Sequence, residues 1–211
     1  MYKILFIDSV TTGMNPERCA IYRLGGIFTE DGVEKKRFEL RMRPYQNARI
    51  SEQSLWICNE TRSTLLYYPS QEDAFKDFLK LLDEQVNIHN PKDKLFLGGF
   101  NTDRFEYPFL TEWFRRNGNE RFRDYFYVQT FDMMSIANLA LLGHRKNLPD
   151  FYLETVAEEL GLRPSASERY DCIANSKISL DMFRLLSRRW GLDDIRDQNK
   201  TQELFRNYSA R

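Results

Sequence analysis

Histidine is what this chain most nearly does without: two among 211 residues, His89 and His144, so a histidine general base has only two candidates. Cysteine is almost as sparse. Cys19, Cys58 and Cys172 stand far apart with no CxxC spacing, which excludes a complete disulfide framework and gives no zinc-site pattern. Surplus charge is missing too: 31 basic residues balance 31 acidic ones, so no global field draws the chain to nucleic acid or to an acidic membrane. A local basic groove remains compatible with that balance. No apolar run approaches the roughly 18 residues of a membrane span, and the N-terminus lacks a signal-peptide pattern. The expected setting is therefore reducing and cytoplasmic, with no membrane partner. The sequence also has no internal repeat and no low-complexity segment.

What is present is aromatic and well patterned. Sixteen Phe and eleven Tyr predict a filled interior in a chain long enough for one sizeable domain. The run Ile4-Leu5-Phe6-Ile7 reads as a strand buried on both faces, ending at Asp8 and a small polar loop closed by Gly13. Taken alone, Asp8 is either a turn cap or a carboxylate at the rim of a sheet, where ligands and metals bind. Ala20–Phe28 reads as a second strand, with Gly25-Gly26 marking a bulge or a close backbone contact. Glu30-Asp31-Gly32 is a turn signal, and Val33–Arg43 a third strand, giving an antiparallel meander.

The next stretch is less regular, with a short helix near Ser51–Trp56 and a loop around Asn59–Thr61. Ser70 then caps an amphipathic helix whose apolar face is Ala74, Phe75, Phe78, Leu79, Leu81 and Leu82. Leu95–Phe100 and Tyr125–Phe131 read as two more strands, and Phe109 and Trp113 as core positions of an intervening helix. Helices are predicted from Asp132 through Leu142, over Leu153–Leu160 and from Ala174 to Trp190. The order predicts an α/β fold with a mixed five-stranded sheet covered by helices. Residues 1–190 read as one domain and 191–211 as a peripheral helix or tail. Arg115-Arg116 with Arg121 and Arg123, and Arg188-Arg189, read as solvated surface.

Three segments together resemble the DnaQ-like (DEDD) 3′-5′ exonucleases. Asp8-Ser9-Val10-Thr11-Thr12-Gly13 is similar to that family's first motif, Asp-x-Glu-Thr-Thr-Gly. Asn101 through Phe105-Glu106-Tyr107-Pro108-Phe109-Leu110 resembles the second, and Glu168-Arg169-Tyr170-Asp171-Cys172-Ile173-Ala174-Asn175 the third. Asp132 stands where the family often has an aspartate after the fifth strand. The likeness runs from about residue 2 to 190. It implies a ribonuclease H-like exonuclease fold: a three-strand antiparallel meander plus two parallel strands, flanked by helices. It also implies two-metal phosphodiester hydrolysis, in which clustered carboxylates hold divalent ions.

The chain departs from that pattern at nearly every functional position. Asp8 is intact, but the first-motif glutamate is Val10. The second-motif aspartate is Glu106, and the third-motif aspartate is Asn175. Tyr170 takes the place of the general-base histidine, and a phenol of pKa about 10 is a poor base at neutral pH. His144 reads as a solvated loop residue. With two carboxylates left, about −2 of charge faces about +4 from two divalent ions. The expectation is one weakly held Mg²⁺ or Mn²⁺ at Asp8 and Glu106, or none.

Three readings follow from the resemblance. The leading one is an exonuclease-like protein with impaired or absent hydrolysis, binding a DNA or RNA 3′ end or a protein partner. The second is a slow, divergent 3′-5′ exonuclease, and the third a pure protein-interaction domain.

Overall fold

The computed structural model describes residues 1–163 and 170–191. The expectations for Glu168 and Arg169, and for the tail beyond Gly191, lie outside the described residues. The strands are β1 (Lys3–Thr11), β2 (Ile21–Glu30), β3 (Val33–Arg41), β4 (Leu95–Gly99) and β5 (Phe126–Asp132). They form one sheet in the order β3-β2-β1-β4-β5. β1 lies antiparallel to β2 and parallel to β4, β2 lies antiparallel to β3, and β4 lies parallel to β5. The mixed sheet that the sequence predicts is the one observed, with β1 at its centre.

Why β1 is central is visible in its side chains. Leu5 and Ile7 point into one apolar cluster, Ile4 and Phe6 into the other, so the strand is buried on both faces. The first cluster is covered by α3 (Gln71–Asp83) and α4 (Glu106–Arg116), the second by α6 (Met133–Ala140), α7 (Leu153–Glu159) and α8 (Cys172–Arg189). Ser70 caps α3 by accepting from the Asp73 amide at 3.0 Å, as its sequence predicts. At the sheet edge, β3 carries Lys35, Lys36 and Arg37, charges that discourage further strand pairing.

Boundaries differ at several points. The helix near Ser51 is α1 (Glu52–Ile57), and a four-residue helix, α2 (Arg62–Leu65), follows it unforeseen. Another short helix, α5 (Phe122–Tyr125), precedes β5. The last helix begins two residues earlier than its apolar pattern suggests, because Asp171 caps it through the amides of Ile173 and Ala174 at 2.8 and 2.9 Å.

Gly25 is a close contact, and the β1–β2 register shift lies elsewhere, between Val10 and Thr11. A Cβ on Gly25 would stand 2.6 Å from Cys172 Cβ and 3.2 Å from its backbone carbon, so α8 seats directly on β2. Gly25→Ala is expected to lower unfolding stability by about 1–3 kcal/mol through this overlap. Urea denaturation checks this, and an unchanged midpoint would mean that α8 does not rest there.

Candidate functional site

The C-terminal ends of the parallel strands β1, β4 and β5 share one rim of the sheet, the usual place for a site in such folds. β1 brings Asp8 and Val10 to that rim, the first residue of α4 brings Glu106, and the first turn of α8 brings Asn175. Three of the positions picked out in the sequence therefore meet. The Asn175 amide nitrogen donates to Asp8 Oδ2 at 3.2 Å. Ser9 Oγ donates to Glu106 Oε1 at 3.2 Å, whereas Glu106 Oε2 is buried with no partner among the described residues.

The charges here are unfavourably placed. Burial, with smaller pushes from Asp171 and Glu154, outweighs the hydrogen bonds from Asn175 and Cys172, and the Asp8 carboxyl is pushed up to about 7. Glu106 is 3% exposed. Burial first, then the Asp8 charge and that of Asp132, hold its carboxyl well above the usual range against the Ser9 hydrogen bond. Two carboxyl groups this close do not both ionise readily without a cation between them.

Val10 does not reach these groups. It is 8% exposed and sits in a small apolar cluster with Tyr22, Leu55, Leu65 and Cys172. Hydrocarbon thus fills the place where the resemblance implies a second carboxylate. Tyr170 is 41% exposed, and its hydroxyl has no hydrogen-bond partner among the described residues. Its backbone is left-handed, φ 67°, an unusual conformation for a bulky residue. Asp132 is committed elsewhere: its carboxylate accepts from the amides of Asn101, Asp103 and Met134 at 3.2, 3.2 and 2.9 Å. Asp171 is likewise occupied as the α8 cap. His144 is exposed and faces Glu159 at 3.5 Å.

Two contributors escaped the sequence reading. Cys172, fully buried one turn before Asn175, hydrogen-bonds Asp8 through its thiol; the i, i+3 spacing on one helix face was the available signal. Arg23 is the other. Arg23 stands opposite Val10 in the ladder, and the register shift leaves Tyr22 as the extra residue between it and Ile21, which faces Thr11. Arg23 pairs with Glu60 at 2.8 Å in a largely buried ion pair. Tyr68 and Thr64 hydroxyls, each at 2.7 Å, complete the Glu60 carboxylate. Burial opposes ionisation of Glu60, but these hydrogen bonds outweigh it and hold its carboxyl below the ordinary range. Arg23 also donates to the Tyr170 carbonyl at 3.4 Å, joining β2, the turn before α2 and the turn before α8.

The residues fit one cation better than two. Asp8 and the unpartnered Glu106 oxygen could hold a hard divalent ion, whereas Val10 and Asn175 offer no charge for a second. Among the described residues, no three His, Cys, Asp or Glu side chains cluster as a metal-binding group. No helix among the described residues is long and apolar enough to cross a membrane.

No protein-family model matches the chain. It is 25% identical over 179 residues to a PolC-type DNA polymerase III of Thermotoga petrophila, covering 84% of this chain and 11% of that protein. Among solved structures, E. coli exonuclease I in complex with a 5cy-dA13 oligonucleotide superposes with a TM-score of 0.73 at 16% identity, over 92% of this chain and 42% of that one. The zinc-ion-bound E. coli exonuclease I complex with single-stranded DNA gives 0.72 at 19% identity, over 90% and 41%. A moderately thermophilic exonuclease I from Methylocaldum szegediense gives 0.70 at 16% identity, over 90% and 41%. The chain spans less than half of each of these structures. Its fold is the ribonuclease H-like, DnaQ-like exonuclease fold, in the form seen in exonuclease I.

Proposed function

We propose that this chain is an exonuclease-like, nucleic-acid-binding protein in which hydrolysis is impaired or lost. The observation that carries the reading is the Asn175 amide donating to Asp8 at 3.2 Å. A neutral donor stands where two-metal chemistry needs a third-motif carboxylate, so Asp8 is partnered by the protein. Val10, packed in hydrocarbon, removes a further charge. The expected ligand is a single-stranded DNA or RNA 3′ end, in keeping with the oligonucleotide complexes of the exonuclease I structures. The test is an assay on short single-stranded DNA and RNA with Mg²⁺ or Mn²⁺. No release of mononucleotides above background is expected. Robust metal-dependent release that Asp8→Ala abolishes would sink the proposal.

One observation favours a second reading, a slow 3′-5′ exonuclease. Glu106 Oε2 is buried and unpartnered beside Asp8, the condition that a bound cation relieves. Mg²⁺ or Mn²⁺ bound there would polarise a phosphoryl oxygen and lower the pKa of a bound water. Asp8 and Glu106 would hold and orient the ion, and Ser9 would fix the Glu106 carboxylate. This reading fails if calorimetry detects no heat of binding at about millimolar Mg²⁺ or Mn²⁺, a concentration set by weak two-carboxylate coordination. A pure protein-interaction domain, the third possibility, predicts no oligonucleotide binding in that same solution.

A further inference from the structure

Beyond the site rim, the segment after β3, α2 with the residue after it, and the start of α3 line an open groove of about 740 Å³. Its lining includes Ile50 and Leu65, which also belong to the apolar cluster around Val10. Around it the arginines are unusual. Arg41, Arg62 and Arg116 are each paired with a glutamate, at 2.9, 2.5 and 2.7 Å. Arg18, Arg43 and Arg49 are exposed and have no carboxylate partner among the described residues. The Arg49 amide bonds the Arg18 carbonyl at 2.7 Å, which brings those two together, and Arg43 lines the groove. Glu17 beside Arg18 and Glu72 on the lining leave arginine in excess in a protein of zero net charge.

The second feature is apolar. Trp56 and Tyr67 are 80% and 89% exposed, on or just after the two short helices that the Arg62–Glu52 pair ties together. Tyr67 follows Leu66 of the lining, Arg49 stands between Ala48 and Ile50 of the lining, and lining Arg62 holds the helix that carries Trp56. Large rings left in water around a groove rimmed by unpaired guanidinium groups suit stacked bases with neutralised phosphates. A peptide would need deep anchor pockets and a row of backbone partners, and the groove is open.

We infer that this groove is a second track for single-stranded nucleic acid, carrying the part of the strand that lies upstream of the end held at Asp8. The phosphates run past Arg18, Arg43 and Arg49, and the bases lean on Trp56 and Tyr67. The inference rests on the nucleic-acid reading above but locates a separate surface.

The test is equilibrium binding of labelled oligothymidylate and oligouridylate to the full chain in EDTA, over a range of salt. The two oligonucleotides separate DNA from RNA as the strand accepted. Combined Arg18→Ala, Arg43→Ala and Arg49→Ala is expected to weaken binding at least about 10-fold at low salt. It is also expected to flatten the log–log salt slope by about 2, as three lost phosphate contacts require. Trp56→Ala, an exposed change that leaves the core untouched, is expected to cost about 5- to 100-fold by itself. Unchanged affinity and slope in the arginine variant would overturn the track and leave the nucleic-acid reading standing. No binding of either oligonucleotide by the unaltered protein would overturn both. Binding indifferent to salt would mean that no phosphates are neutralised there and would also overturn the track.

Discussion

A variant carrying Val10→Glu, Glu106→Asp, Tyr170→His and Asn175→Asp is expected to release nucleotides from single-stranded DNA in Mg²⁺ on the order of 10²- to 10⁴-fold faster than the unaltered chain. Each change acts on a position where the chain departs from the motifs it resembles. Asn175→Asp removes the amide that donates to Asp8 and restores a charge at the same point of α8. Val10→Glu places a carboxylate two residues from Asp8 on the same strand face. Glu106→Asp retracts a carboxylate by one methylene, and Tyr170→His supplies a base with a pKa near neutrality.

The cost is equally specific. The Val10 side chain must leave its contacts with Leu55, Leu65, Tyr22 and Cys172, and four carboxylates then crowd one rim. Without metal the variant is therefore expected to melt below the unaltered protein, and Mn²⁺ is expected to raise its melting temperature substantially. Calorimetric titration with Mn²⁺ and an exonuclease assay check the two halves. A folded variant that neither binds metal nor cleaves would show that this rim is not a decayed nuclease centre.

Glu106→Gln is expected to stabilise the metal-free protein by about 1–3 kcal/mol at about pH 8, because it removes a buried charge that faces another. The sign of the pH effect follows from the raised carboxyls. In the unfolded chain Asp8 ionises near its ordinary pKa of about 4, and in the folded protein it holds its proton to about 7. Between those values the folded state binds more protons, so stability falls as pH rises through that window and levels off above it. The unaltered metal-free protein is expected to lose about 4 kcal/mol across the window from Asp8. Glu106→Gln is expected to flatten the dependence, since the raised Glu106 carboxyl no longer titrates. Urea denaturation at about pH 5 and pH 8 measures both quantities; a Glu106→Gln protein less stable than the unaltered one at the higher pH, or one with an unaltered slope, would mean the two carboxyls do not oppose each other.

The readable parts of this fold were those where local sequence and tertiary demand coincide. The buried run in β1 and the Ser70-capped apolar face of α3 needed nothing remote to be recognised. By contrast, α2 and α5 are four residues each, too short to carry a helical period, and burial of Leu65, Phe122 and Tyr125 holds them. The start of α8 was misjudged although Asp171 is an ordinary N-cap residue, because the apolar pattern begins later than the cap. In the site, Asp8, Glu106 and Asn175 were found through their motifs. Arg23 was not, since its partners, Glu60 and the Tyr170 carbonyl, lie 37 and 147 residues away in the chain.

That arginine has a consequence for handling the protein. The Arg23–Glu60 pair, closed by Tyr68 and Thr64 and reaching the Tyr170 carbonyl, braces the two turns beside the rim using the chain's own charges. An enzyme whose mouth is knitted by divalent ions slackens when a chelator strips them. Here the brace is written into side chains, so removing divalent ions leaves these two turns tied together.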